Sequence, residues 1–289
     1  MSDLKIFCIW NKRIFSVLTI GAFLFSFWTI SAKAEPYLSV LDVSSADYCD
    51  NDIEQIRFGI YKECSKLWTK LSDDCSEFSN ISYEDALKQA CAYDYRSIID
   101  QLKGYNFTPK EKAWIALLSG AEIPESFDFR YKSCREFCKD SDDNLENFHD
   151  YIQVIFPSEQ ASAYANSDLF IGSRCDEWKQ FLDDHPEICN QIQLNMKLNF
   201  VRMLEFWKFR VKGSLVEAHP EQQNFHNHNN KRVTRVAHAL LVFGLTKMNK
   251  KFINMLKQGY FAHSSLGCWE SNPVCVLIDK NIDYNFEKY

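Results

Sequence analysis

The N-terminus sets the conditions under which the rest of this chain must fold. Lys5, Lys12 and Arg13 precede an uncharged, largely apolar run from Ile14 to Ile30, and Ser31-Ala32-Lys33-Ala34-Glu35 follows it. A basic flank, an apolar stretch and small residues in an A-x-A arrangement form the signature of a cleaved export signal. The run is long for such a segment and falls just short of the roughly 20 residues that a membrane span needs. A retained single-pass anchor is therefore the alternative, and the A-x-A site with the polar sequence after it favours cleavage near Ala34. Residues 1–34 are read as a signal peptide and the mature chain as secreted or periplasmic. No later segment is apolar and long enough to span a bilayer, so any membrane contact would run through an uncleaved N-terminus.

Cysteine usage agrees with export. Of 11 cysteines only Cys8 lies in the signal, and the rest are Cys49, Cys64, Cys75, Cys91, Cys134, Cys138, Cys175, Cys189, Cys268 and Cys275. An even, generous set behind an export signal predicts disulfides formed in an oxidising compartment. Connectivity stays open, although short-range Cys175–Cys189 and Cys268–Cys275 bridges fit the spacing. Cys134 and Cys138 stand one helical turn apart and are expected to bridge elsewhere, because disulfide geometry fits poorly within a single turn.

The remaining composition points to helices. Hydrophobic content of 46% with 25% charge is that of a globular chain, and 23 Phe and 13 Tyr supply a core. With only 9 Gly and 7 Pro, turn-dense β architectures are disfavoured. The expectation is an all-α, irregular helical bundle, disulfide-stapled, behind the signal segment. Residues 35–126 read as a Cys-rich helical region with three helices. The first runs from about Asp52 to Leu71, the second follows the Ser82-x-x-Asp85 cap and continues to Leu102, and the third opens on the capping box of Thr108 and Glu111 and stops at Gly120. Residues 127–265 carry further helices at about Asn144–Phe156, from a Ser173/Asp176 cap through Leu182, at Glu187–Val211 and Lys231–Phe243, and from Thr246 to Gly259. Residues 266–289 read as an irregular tail, and no β-period pattern of any length is present.

Two strings carry more than packing information. The first is His149-Asp150-Tyr151-Ile152-Gln153-Val154-Ile155-Phe156-Pro157, and the second runs from His228-Asn229-Asn230-Lys231-Arg232-Val233-Thr234-Arg235-Val236 to Leu245. Together with Arg202-Met203-Leu204 and Phe206-Trp207 between them, they resemble the signature blocks of the opioid growth factor receptor conserved-domain family. Those blocks read H-x-Y-I-Q-W-L-F-P and H-N-x-L-R-I-T-R-I-L. The likeness covers about Phe127 to Gln258, with Val154 where the family has Trp, Lys231 where it has Leu and Phe225 where a Trp is usual. It implies an all-helical domain named for binding an opioid peptide, with no established catalysis.

The residues themselves leave two readings open at each position. His149 and Gln153 are i, i+4 neighbours that either recognise a ligand or satisfy backbone groups at a helix contact. His228, Arg232 and Arg235 form one stripe of a helix that His228 or Asn229 would cap. The two arginines either grip a carboxylate or phosphate or pair with acids such as Glu146 or Asp150. Between Gln222 and Trp269 there is no Asp or Glu, while loss of Lys5, Lys12, Arg13, Lys33 and Asp3 takes the formal charge from −6 to −9. That basic stretch either neutralises the acidic remainder or faces an anionic partner. His226-x-His228 lacks a third zinc ligand nearby, and neither a phosphate loop nor a nucleophile elbow is present. No metal, cofactor or nucleic acid is expected. The leading expectation is an exported, non-enzymatic binding module for a peptide or protein partner, or an anionic surface. The expected ligand set is His149, Gln153, His228, Asn229, Arg232 and Arg235. The alternative is a metal-dependent or other hydrolase using His149, His226 and His228.

Overall fold

The computed structural model describes residues 56–75, 81–90, 93–158, 171–218 and 228–256. Helices account for 68% of them, in 11 segments, so the helical expectation holds. The signal segment, Cys49, Cys91, His226, Cys268, Cys275 and the tail 266–289 lie outside the described residues. No helix among the described residues is long and apolar enough to cross a membrane.

Local chemistry places the first helices: α1 (Phe58–Asp74), α2 (Tyr83–Gln89), α3 (Tyr95–Gln101) and α4 (Pro109–Leu118). The Ser82 hydroxyl accepts from the Asp85 N–H at 3.0 Å and opens α2. At α4 both halves of the capping box are made, with Glu111 N–H donating to the Thr108 hydroxyl at 3.2 Å and Thr108 N–H donating to Glu111 Oε2 at 2.7 Å. Gly120 at φ +92° ends that segment. A Cβ there would also lie 2.0 Å from the Ala90 carbonyl oxygen, so only glycine fits.

The next helices are α5 (Cys134–Lys139), α6 (Asp142–Asn147), α7 (Tyr151–Ile155), α8 (Cys175–Asp184) and α9 (Pro186–Phe206). α9 is the axis of the fold, about 30 Å long at 1.5 Å per residue. It is buried on most sides, and α1, α2, α4, α5 and α8 all pack against it. One apolar core runs from Ile56 to Leu256. The core therefore crosses the boundary drawn at residue 126, and helices on both sides of it share α9. Polar side-chain groups satisfy neighbouring backbone within this core. Asn195 Nδ2 donates to the Leu118 carbonyl at 3.0 Å, and Trp114 Nε1 reaches the Val154 carbonyl at 2.8 Å.

α9 stops earlier than expected. Lys208, at φ 60°, turns the chain into β1 (Phe209–Lys212), which pairs antiparallel with β2 (Leu215–Ala218). Lys212 faces Leu215, leaving a two-residue turn at Gly213-Ser214 with Gly213 at φ +60°. Strands of four residues are too short to display alternation. Last come α10 (His228–Val242) and α11 (Thr246–Met255), separated by Gly244 at φ 73°. Two other expected helices are each split. Asp94 caps α3 through the Ser97 N–H and separates it from α2. The expected Asn144–Phe156 helix is α6 and α7 with an extended Phe148 between them.

The disulfide expectation is corrected at five positions. Cys64, Cys75, Cys134, Cys138 and Cys175 carry thiols. The Cys134 thiol donates to the Leu117 carbonyl at 3.0 Å, and Cys138 lies 3.9 Å from Asn199 Oδ1. Cys175 turns back onto the Ile171 carbonyl at 3.4 Å. It is therefore not bridged to Cys189, which is disulfide-bonded. Buried cysteine packs as a small apolar side chain, and a count of cysteines cannot separate that role from bridging.

Candidate functional site

The stripe singled out on α10 does meet the first signature string, and it meets it by closing on it. Arg232, 3% exposed, extends from α10 to the α6–α7 junction. Its Nη2 donates to the Phe148 carbonyl at 2.7 Å and the Glu146 carbonyl at 3.3 Å, and lies 2.6 Å from His149 Nδ1. Nη1 stands 3.9 Å from the Glu146 carboxylate, and the guanidinium carbon is 5.4 Å from the Tyr151 ring centre. A guanidinium has no acceptor, so His149 Nδ1 must accept. Arg235 Nε donates to the Phe156 carbonyl at 3.1 Å, at the end of α7. A helix of five residues leaves most of its carbonyls without internal partners, and the two arginines serve the junctions on either side of it. Gln153 is buried on α7 at 4% exposure. His228 and Asn229 belong to the first turn of α10 and do not precede it. Among the described residues no group of three or more His, Cys, Asp or Glu is placed to hold a metal ion.

A different set of charges surrounds open space. The starts of α1 and α6, the end of α9 and β1 enclose a cleft of about 770 Å³. Beneath it runs a chain of compensated charges. Arg202, fully buried, donates through Nη1 to Glu205 Oε2 at 2.6 Å. Through Nη2 it reaches the Asp140 carbonyl at 2.7 Å and Asp142 Oδ1 at 2.8 Å. Lys208 Nζ donates to Asp142 Oδ2. Arg210 Nη2 lies 3.2 Å from Glu205 Oε1, and its Nε 3.7 Å from Glu63.

Burial and charge compete at each carboxylate here. At Glu205 burial wins and holds the carboxyl above its ordinary value, although Arg202 pulls the other way. At Asp142 burial also pushes upward, but hydrogen bonds and charge from Lys208 and Arg202 outweigh it and hold the carboxyl below its ordinary value. Lining the cleft above these pairs are Arg57, Phe58 and Lys62 of the α1 end and Asp143 of α6. Phe58 is 78% exposed, unusual for a large aromatic.

Sequence reasoning placed none of these cleft residues in a site. The spacing Arg202-x-x-Glu205 on a helix otherwise rich in apolar residues was the available signal. The acidic run Asp140–Asp143 reads as a linker until α9 is seen beneath it. No protein-family model, no curated protein and no solved structure matches the chain.

Proposed function

We propose that the chain is an exported, non-enzymatic binding protein of the opioid growth factor receptor conserved-domain type, and that it engages a peptide or protein partner in the cleft at the start of α1. The observation that carries this reading is the cleft itself. It is of a size that takes ligands, generally about 300–1,000 Å³, and it combines an exposed aromatic with charges of both signs. Supporting the family reading, the two signature strings fall on α7 and α10, which pack together through Arg232. Supporting export are the A-x-A site and the bonded state of Cys189. Arg232 itself is read as holding the α6–α7 junction, because a guanidinium already filled by two carbonyls and an imidazole has little left for a partner.

The test is retention of natural peptides. The purified, oxidised chain is immobilised, exposed to peptides and proteins from its natural surroundings, and the bound fraction is identified by mass spectrometry. Specific retention absent from a heat-denatured control is expected. No retention, with turnover of ester, phosphoester or peptide substrates that is lost on His149→Ala, would instead establish the hydrolase alternative. Sequencing the mature N-terminus checks export, which requires a start at Glu35.

A further inference from the structure

The charges around the cleft are not equivalent. Glu63, Asp142, Glu205 and Arg210 all have ion-pair partners within the chain. Arg57, Lys62 and Asp143 make no side-chain hydrogen bond or ion pair among the described residues, and all three are exposed. The open charges therefore comprise two cations on the α1 wall and one carboxylate on the α6 wall, with Phe58 beside the cations. A ligand bearing only negative charge would gain on the first wall and be repelled at the second. One bearing only positive charge would meet the reverse. A ligand carrying both signs satisfies both walls.

Resting on the binding reading above, we propose that the cleft takes a short amphoteric peptide segment. A ligand carboxylate pairs with Arg57 and Lys62, a ligand ammonium or guanidinium pairs with Asp143, and an apolar side chain packs on Phe58. The inner pairs form a rigid floor and contribute shape, since their charges already compensate one another. Arginine and aromatic residues are the side chains that most often carry binding energy at such surfaces, and both occur here at the end of one helix.

The experiment uses three end-blocked fluorescent peptides of equal length, with serine spacers. One carries an aspartate, a phenylalanine and a lysine, one carries two aspartates with the phenylalanine, and one carries two lysines with the phenylalanine. The first is made in both orders. Binding is read by fluorescence anisotropy for the full chain, for Arg57→Ala/Lys62→Ala, for Asp143→Asn, and for Lys179→Ala on α8 as a control away from the cleft. The amphoteric peptide, in at least one order, is expected to bind about tenfold tighter than either single-sign peptide. The double variant should weaken it by about tenfold. Asp143→Asn should weaken the amphoteric peptide while tightening the acidic one, an opposition of sign that general loss of structure does not produce. Unchanged melting temperatures are expected, because none of the three residues makes a side-chain hydrogen bond or ion pair among the described residues. If the acidic peptide binds best and Asp143→Asn changes nothing, the cleft is a plain anion site and the proposal is overturned. If the amphoteric peptide binds but ignores every cleft variant, recognition lies elsewhere and only the binding reading survives. If none of the peptides binds, this proposal falls, and the retention experiment decides the binding reading separately.

Discussion

Replacing Arg202 with methionine removes the cation that holds the charges beneath the cleft together. Three short contacts are lost, to Glu205 at 2.6 Å, the Asp140 carbonyl at 2.7 Å and Asp142 at 2.8 Å. The cost falls mainly on Glu205, whose side chain is 6% exposed and keeps Arg210 within ion-pair distance and Lys208 farther off as counter-charges. Asp142, at 35% exposure, retains water and Lys208 and suffers less. Breaking a buried pair from one side costs about 3–5 kcal/mol, and that is the loss expected near pH 7.5. The pH dependence identifies its source. Glu205 sits above its ordinary value in the folded protein because of burial, so its contribution is fully present below the unfolded value and fades as pH rises through the folded one. Without Arg202 that shift grows, and acidification lets Glu205 bind a proton and shed its buried charge. Asp142 behaves oppositely in the native protein. Despite burial, Lys208 and Arg202 hold it below its ordinary value, so its contribution exists above the unfolded value and is lost as pH falls through the folded one. The Glu205 effect narrows the gap between the native protein and Arg202→Met toward about pH 5, whereas the Asp142 contribution is lost only at lower pH, below the ordinary aspartate value. Urea unfolding followed by tryptophan fluorescence at the two pH values measures this. A loss under about 1 kcal/mol near neutrality, or an equal loss at both pH values, would refute the reasoning.

Gly120→Ala should cost about 2–4 kcal/mol or prevent folding, since the new Cβ meets the Ala90 carbonyl at a φ of +92°. Thermal melting reads the loss, and a shift within error would mean that this backbone gives way. Trp114→Phe strands the Val154 carbonyl inside the core and leaves a void, for about 2–3 kcal/mol by urea titration. Burial pushes the Cys64, Cys134 and Cys138 thiols upward, the last two to about 12. At about pH 8 their thiolate fraction is then on the order of one in ten thousand. A thiol reagent should label the half-buried Cys175 first and those three only on unfolding, so prompt native labelling of all of them would contradict the packing.

What was legible in the sequence was what neighbouring residues decide for themselves. Ser82, the Thr108/Glu111 box, Gly120 and Gly244 placed helix ends correctly because each cap is closed within a few residues. Asp94 and Ser133 are equally local caps whose helices the reading did not separate, while the helix that Ser141 opens begins within two residues of the expected Asn144 start. The break at Phe148 was not legible, because the Arg232 that takes its carbonyl lies 84 positions away. The hairpin after α9 depends on a left-handed Lys208, a conformation that no residue type announces outside glycine and asparagine. The site divides in the same way. His149 and Arg232 were named together, yet which way such groups turn depends on where α10 lies against the α6–α7 junction, with Arg232 buried there and His149 exposed. The cleft charges come from three stretches distant in sequence, at Arg57–Glu63, Asp142–Asp143 and Glu205–Arg210.

The claim at the centre of this account is that Arg232 holds the fold while the α1 end of the cleft recognises the ligand. The measurement that separates these roles is a titration of the amphoteric peptide against the native chain, Arg57→Ala/Lys62→Ala and Arg232→Met, with melting temperatures recorded on the same samples. The account predicts about tenfold weaker binding and an unchanged melting temperature for the cleft variant. For Arg232→Met it predicts a melting temperature lower by several degrees, at about 2–4 °C per kcal/mol for a chain of this size, with affinity preserved while the protein is folded. Loss of affinity confined to a fully stable Arg232→Met, with the cleft variant binding normally, would contradict it.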